Sequence, residues 1–202
     1  MEKPIKRPGL FARKCWGVLT GTAILSMLFS CGGVRQINLT YTSDSVGPLP
    51  KANAGLEVIV NKFKDTRTQN HIGEARNHGG TVFFTVEAKN DISSWVTQAF
   101  AAELEKAGCR VTSGENINTP ERFVINGNIS QISASGVLSE MRVTVQIARA
   151  YKIVLNHSYS AQGRVSSQNV YLTNYTKLYD ITLQNLARQM IPQMIAAMNQ
   201  SP

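Results

Sequence analysis

The chain has 202 residues, of which 43% are hydrophobic and 17% charged. This is the composition of a globular protein with room for one domain, and it argues against disorder throughout. The formal net charge is +8, and the first thirty residues, with five cations and one anion, hold half of it. The other cations are dispersed, without a run of lysine and arginine and without interleaved aromatic residues, so nucleic-acid binding is not supported.

The first thirty residues have the three-part pattern of an export signal. A cationic segment ends at Lys14, an apolar stretch runs from Trp16 to Phe29, and Ser30, Cys31 and Gly32 follow. The apolar stretch has 14 residues, whereas a helix needs about 20 to cross a bilayer core. The alternatives are an uncleaved membrane anchor and a short buried helix. The cationic start and the polar stretch after the cysteine favour the export signal.

The residues around Cys31 resemble the lipobox of bacterial lipoproteins. Leu28-Phe29-Ser30-Cys31 places an aliphatic residue three positions before the cysteine and a small residue directly before it. A thiol is the nucleophile that can accept a diacylglyceryl group, and the small residue lets a peptidase reach the bond. The resemblance implies cleavage before Cys31 and a lipid anchor on its thiol. An aspartate directly after the cysteine would signal inner-membrane retention. Because Gly32 stands there instead, the resemblance also implies that the protein lies at the outer membrane, facing the periplasm.

The other two cysteines fit this interpretation. Cys15 leaves with the signal, so Cys109 remains without a disulfide partner. A single cysteine directly after an amphipathic helix is typically a small buried apolar residue, and we expect this for Cys109.

We predict three segments along the chain. Residues 1–30 form the signal peptide, and residues 31–54 form the lipidated N-terminus and a flexible tether. The tether is predicted because this stretch is polar, has no periodicity and contains Gly47-Pro48-Leu49-Pro50, although its end could join a sheet edge. Residues 55–202 form the periplasmic α+β domain.

The domain begins with a strand and an amphipathic helix. Residues 56–63 are a β-branched run that predicts a strand, and residues 65–80 predict a long polar loop, after which residues 81–86 form a short strand. Asn90 or Asp91 can cap a helix that Gly108 ends, before a further strand at residues 110–112. Apolar residues recur along this helix at three- and four-residue steps: Ile92, Trp95, Val96, Ala99, Phe100, Leu104 and Ala107.

Long β segments and a second helix complete the domain. Residues 122–133 predict a strand in which Gly127 suits a bulge. Residues 141–155 alternate as one strand that residues 157–167 extend as a hairpin arm. Residues 183–198 keep helical spacing, and Pro192 should bend this helix. We therefore expect an α+β fold, a two-layer sandwich in which a mainly antiparallel sheet carries two amphipathic helices packed on one face.

Several of these segments resemble the YajG-type family of small bacterial lipoproteins over about residues 56–200. The resemblance rests on Val60-Asn61, Asp65-Thr66-Arg67, Ile72-Gly73, the helix from Ile92 to Leu104, and Lys106 to Val111. The architecture also resembles that of penicillin-binding-protein activators and transporter auxiliary lipoproteins. Because the YajG-type family has no established activity, the resemblance implies a lipid-anchored module and no particular reaction.

The family turn supplies the candidate partner-binding residues Asp65, Arg67 and Gly73. The alternative is structural, with Asp65 capping the turn and Arg67 either pairing with it or covering the sheet edge. Tyr171, Tyr175 and Tyr179 recur every four residues and either pack beneath the last helix or present a binding face.

No catalytic motif stands out, because the chain has no G-x-S-x-G elbow, P-loop or G-x-G-x-x-G. We predict a non-enzymatic adaptor without cofactor or bound metal, whose partners are the membrane, through lipid on Cys31, and an envelope protein or the cell wall. A sheet edge or residues 65–80 should make the contact, so deleting residues 68–80 should abolish partner capture while sparing folding. The alternatives are a metal-dependent envelope hydrolase using His71, Glu74 and His78, and a purely structural lipoprotein.

Overall fold

The structure is a computed structural model that describes residues 33–43, 46–76, 79–114, 117, 119–166 and 172–201. The signal peptide predicted for residues 1–30, and with it the predicted lipidation site Cys31, lies outside the described residues. So do His78 and Tyr171. None of the described helices combines the length and the apolar character needed to cross a membrane.

The described residues form nine strands and two helices, which confirms the α+β prediction. In chain order they are β1 Gly33–Ile37, β2 Glu57–Asn61, β3 Lys64–Asp65, β4 Gly73–Arg76, β5 Val82–Ala88, α1 Ile92–Lys106, β6 Arg110–Gly114, β7 Phe123–Ser135, β8 Leu138–Arg149, β9 Lys152–Arg164 and α2 Leu172–Gln200.

All nine strands belong to one sheet that is organised around β7. On one side, β7 pairs antiparallel with β8, which pairs antiparallel with β9. On the other side, β2, β3 and β4 pair with β7 in parallel. Beyond them, β6 lies parallel to β2, β5 antiparallel to β4, and β1 parallel to β5. The longest pairings are thus antiparallel, as predicted, while the shorter strands make the sheet mixed.

The two helices contact each other and cover one face of the sheet. The core between the layers contains fully buried side chains from both helices and from the long strands, such as Phe100, Leu104, Val143, Leu183 and Met190. The opposite, outer face of β7, β8 and β9 carries mostly polar side chains. This is the alternation of a sheet with one packed and one solvated face.

Helix α1 begins and ends where the sequence predicts. The Asp91 carboxylate accepts hydrogen bonds from the backbone N–H groups of Ser93 and Ser94, at 3.1 and 3.2 Å. Gly108, with φ of +96°, follows the last turn in the left-handed region that glycine tolerates best. Local capping chemistry therefore fixes both ends of α1.

The prediction of one strand over residues 141–155 is wrong. The chain reverses at Ala150 and Tyr151, whose φ angles of 49° and 62° are both positive, as in the tight turns that join antiparallel strands. The backbone N–H of Ala150 also donates to the carbonyl of Pro120, at 3.0 Å. Neither residue at the turn is the glycine or asparagine that usually signals such a turn, and apolar alternation continues on both sides of it.

Residues 33–54 do not form the predicted tether in the described structure. Residues 33–37 are strand β1, and Ile37, Leu39 and Val46 are buried in the core. The backbone N–H of Ala52 donates to the carbonyl of Ala107 at 2.8 Å. A few apolar side chains spaced without a period are enough to fix this segment, and periodicity does not reveal them.

The loop predicted over residues 65–80 contains strand β4 and the last residue of β3. Strand β4 lies between β5 and β7, and Ile72 just before it is only 1% exposed. Deleting residues 68–80 would remove this strand and its buried neighbour, so the expectation that the deletion spares folding is not supported.

Gly127 does not mark the bulge that the sequence suggests. A Cβ at this position would lie 2.3 Å from the ring of Phe63, so the glycine makes room for that ring. The irregularity in the pairing of β7 with β8 falls between Ile129 and Gln131. Helix α2 contains Pro192, as predicted, but is longer than residues 183–198.

Candidate binding groove

The outer face of the sheet carries an open groove of about 480 Å³ where β4 approaches β7 and β8. Ser133, Glu140 and Gln162 stand in one row across three strands, because Ser133 pairs with Glu140 and Glu140 with Gln162. The loop before β4 adds Gln69 and His71. The wall therefore presents hydroxyl, amide, imidazole and carboxylate groups, which suit a polar partner.

A chain of charged and titratable groups forms one side of the groove. Nε2 of His71 lies 3.4 Å from Oε1 of Glu74, and the Arg76 guanidinium lies 2.6 Å from the other carboxylate oxygen. Arg76 also donates to the carbonyl of Gly80 at 2.9 Å. Glu74 is thus shared between the imidazole and the guanidinium.

The structure brings together only part of the metal set that the sequence suggests. His71 and Glu74 are adjacent, whereas His78 lies outside the described residues. Among the residues that the structure describes, no three His, Cys, Asp or Glu side chains are grouped as metal ligands. Arg76 also competes for the carboxylate, so this part of the groove is better described as an ion-pair cluster.

Asp65 and Arg67 face each other across the turn that precedes the groove. The guanidinium binds both carboxylate oxygens through Nε and Nη2, at 2.9 and 2.7 Å, and the Arg67 backbone N–H donates to the same carboxylate at 3.2 Å. The Arg67 side chain is only 8% exposed and reaches the carbonyl of His71 at 3.5 Å. This geometry fits the structural alternative, in which the pair shapes the turn that carries His71.

Gly73 allows helix α2 to approach β4 closely. A Cβ on Gly73 would lie 2.9 Å from the hydroxyl of Tyr179 and 3.2 Å from the Tyr175 ring. Tyr179 donates to the carbonyl of Ile72, and Tyr175 donates to the carbonyl of Glu74 at 3.0 Å. Burial raises the pKa of both phenols. The two tyrosines therefore pack against the helix-covered face of the sheet, and Gly73 leaves the space that their side chains need behind the groove.

A buried acidic cluster on the helix side was missed by the sequence analysis. Glu103 of α1 is fully buried, and its carboxylate accepts hydrogen bonds from the hydroxyls of Tyr41 and Ser43, at 2.8 and 2.5 Å. Burial, followed by this hydrogen bond, raises the pKa of Tyr41. A signal was present, because Glu103 stands four residues after Ala99 and four before Ala107 on the apolar stripe.

No protein-family model and no curated protein matches this sequence. Solved structures do match. A Xanthomonas campestris protein described under the family model DUF330 is 9% identical, with a TM-score of 0.60 over 83% of this chain and 97% of that chain. An uncharacterized protein is 7% identical, with a TM-score of 0.52 over 81% of this chain and 97% of that chain. A hypothetical protein of Chlamydia trachomatis is 10% identical, with a TM-score of 0.49 over 71% of this chain and 98% of that chain. At these identities, the likeness to the first two shows that the fold is shared.

Proposed function

We propose that this protein is a non-enzymatic lipoprotein of the bacterial cell envelope, anchored by lipid on Cys31, that binds another envelope component through the outer face of its sheet. The observation that carries the anchor is the cationic and apolar leader ending in Leu28-Phe29-Ser30-Cys31. Each buried methylene of a lipid contributes about 0.8 kcal/mol, so a cysteine with two or three acyl chains is held firmly. Gly32 and the YajG-type motifs support an outer-membrane location facing the periplasm.

The groove supports the binding role. It is open and carries charges of both signs, and it lies on an outer sheet face that neither helix covers. Such a surface suits a peptide segment or another polar envelope component better than an apolar small molecule. Asp65, Arg67 and Gly73 contribute by shaping this surface, and the contacting side chains are those of the groove wall, among them Gln69, Ser133 and Gln162.

The anchor is tested by the intact mass of the protein extracted in detergent from its own host. We expect a mass that corresponds to residues 31–202 plus a diacylglyceryl group, with or without a further acyl chain. A Cys31→Ala variant should lack the adduct and retain its leader, because it has no thiol to modify. A wild-type mass that retains residues 1–30 would contradict the proposal and indicate an uncleaved anchor.

The binding role is tested by a substitution that places a larger side chain in the groove and leaves the buried residues of the core unchanged. Ser133 is exposed and lines the groove, whereas Asn128 is exposed on the same face of β7 outside it. We expect Ser133→Arg to reduce the capture of partners by cross-linking at the membrane, and Asn128→Arg, with the same change in charge, to leave it at the wild-type level. Equal capture by both variants would remove the groove as the contact surface.

A further inference from the structure

At the end of the sheet where β1 begins, the ends of six strands lie side by side. Gly33 pairs with Phe84, and Phe84 with Ala75, which joins the starts of β1 and β5 to β4. One residue before Ala75, Glu74 pairs with Ser135 at the end of β7, and a row of pairs continues through Leu138 to Arg164. We call this row of strand ends the β1 end. It is formed by residues 33–35, 75–76, 79–84, 134–139 and 163–166.

Three of the five exposed large apolar side chains in the described part of the chain lie at the β1 end, and the other two, Tyr151 and Ile153, lie at the opposite end. Phe83 is 70% exposed, Val34 56% and Leu138 48%. Val34 pairs with Thr85, two residues from Phe83, so both side chains lie on the outer face. Leu138 reaches the same face through its pairing with Ser135 and the pairing of Ser135 with Glu74.

The charge of the β1 end is mainly positive. Arg35, Arg76 and Arg164 are exposed cations there, and Arg76 is ion-paired at 2.6 Å with Glu74, which lies in the same row of strand pairs. Exposed aromatic and aliphatic groups beside arginines are the composition that binds the surface of a bilayer with anionic lipids.

The short connection between Cys31 and β1 indicates that the membrane is what the β1 end contacts. If lipid is attached to Cys31, as proposed above, Gly33 follows two residues later, and this connection spans at most about 7 Å. The segment predicted as a tether is folded from Gly33 onward, so it cannot lift the domain away from the membrane. The first residues of β1 must therefore lie at the headgroups.

We propose that the β1 end rests on the anionic membrane surface, with Phe83 and Val34 in the interface and the groove opening beside the bilayer. This proposal rests on the proposed lipidation of Cys31. The opposite end of the sheet, at the turn of Ala150 and Tyr151, lies roughly 35–40 Å away along the 12 residues of β8. That end then points away from the membrane.

The test uses two matched tryptophan variants of the full lipidated protein. Phe83→Trp lies at the β1 end, and Tyr151→Trp lies at the opposite end, where Tyr151 is 75% exposed. Each protein is reconstituted into vesicles of phosphatidylcholine and phosphatidylglycerol, with or without bromine on the acyl chains. Trp95 provides the same background in both. We expect brominated lipid to quench the Phe83→Trp fluorescence and to leave the Tyr151→Trp fluorescence at the level of the wild-type protein.

Equal quenching of the two variants, or stronger quenching of Tyr151→Trp, would overturn the proposal. Replacing phosphatidylglycerol by phosphatidylcholine should lessen the quenching of Phe83→Trp, because the exposed arginines of the β1 end lose the attraction of the anionic headgroups. Unaltered quenching would refute the electrostatic part. The intact mass of each sample separates this proposal from the function proposed above. A missing lipid adduct refutes the anchor, whereas an adduct without quenching of Phe83→Trp refutes only the orientation.

Discussion

At the scale of single residues, a close approach between backbones fixes where helix α2 lies on the sheet. A Cβ at Gly163 of β9 would lie 2.7 Å from the carbonyl oxygen of Leu178 and 2.3 Å from the hydroxyl of Thr182. Ser139 of the neighbouring strand bonds the same carbonyl at 3.3 Å. Small residues on β8 and β9 thus let the helix backbone settle against the strands.

We expect Gly163→Ala to destabilise the protein by about 1–3 kcal/mol, because a backbone carbonyl cannot yield as a flexible side chain can. For a domain of this size, thermal unfolding should then occur about 2–4 °C lower for each kcal/mol. Gly33→Ala is the matched control, since a Cβ there would meet no atom within 4 Å. Circular dichroism measures both transitions, and coincident melting of the two variants would show that α2 does not approach β9 this closely.

At the scale of elements, the segment from Leu39 to Ala52 is fastened to both helices. Its hydrogen bonds join Leu39 N–H to the side chain of Asn90 at 2.8 Å, and the amide of Gln184 to the carbonyl of Thr42 at 3.1 Å. The buried carboxylate of Glu103 receives two further hydroxyls from this segment. These hydrogen bonds to α1 and α2 therefore hold the segment against the domain, as a flexible tether would not be held.

We expect Glu103→Ala to destabilise the protein by about 1–3 kcal/mol, because the half-buried hydroxyls of Tyr41 and Ser43 lose their acceptor. The amide of Leu39 should then exchange its hydrogen faster. Glu103→Gln keeps one acceptor oxygen and should have a smaller effect. Glu105→Ala, an exposed change on the same helix, is the control. Wild-type exchange in Glu103→Ala would mean that this cluster does not fasten the segment.

At the scale of the whole molecule, burial of acidic groups links stability to alkaline pH. Burial raises the pKa of the Cys109 thiol from its ordinary 9.0 to about 11. It also raises the pKa of four phenols, those of Tyr41, Tyr159, Tyr175 and Tyr179. Because these acids stay protonated longer in the folded state, their contribution is complete below the pKa values of the unfolded chain and is lost above them.

The free energy of unfolding should therefore fall as the pH rises above about 9, the ordinary pKa of the thiol. Urea unfolding at about pH 7, 9 and 10 measures this directly. In Cys109→Ala the decline should begin at higher pH, because the phenols titrate later than the thiol. A stability that rises or stays constant over this range would contradict the burial of these groups.

Features encoded by neighbouring residues were predictable. Asp91, the apolar stripe and Gly108 specify α1, and the burial of Cys109 after it is confirmed, at 6% exposure. The long β segments were recognised by alternation, but the turn at Ala150 and Tyr151 was not, because two non-glycine residues with positive φ carry no local signal.

The candidate groove could be predicted only in part. His71 and Glu74 were singled out by proximity in sequence, whereas Ser133, Glu140 and Gln162 meet them through the pairing of β4 with β7 and of β7 with β8. The sequence around these three residues indicated none of their neighbours across the sheet. Strand register depends on side chains far apart in the chain, so pairs of this kind are not visible in either segment alone.

Local patterns of the chain specify the caps of α1, the apolar stripes of both helices, the α+β class and the lipobox resemblance at Cys31, because each depends on residues within a few positions of one another. Tertiary packing is what brings the described residues of 33–54 into the fold, places β4 in the sheet and brings exposed apolar and cationic residues together at the β1 end. These features arise from packing and strand pairing between distant segments, whose energy no local pattern of the chain expresses.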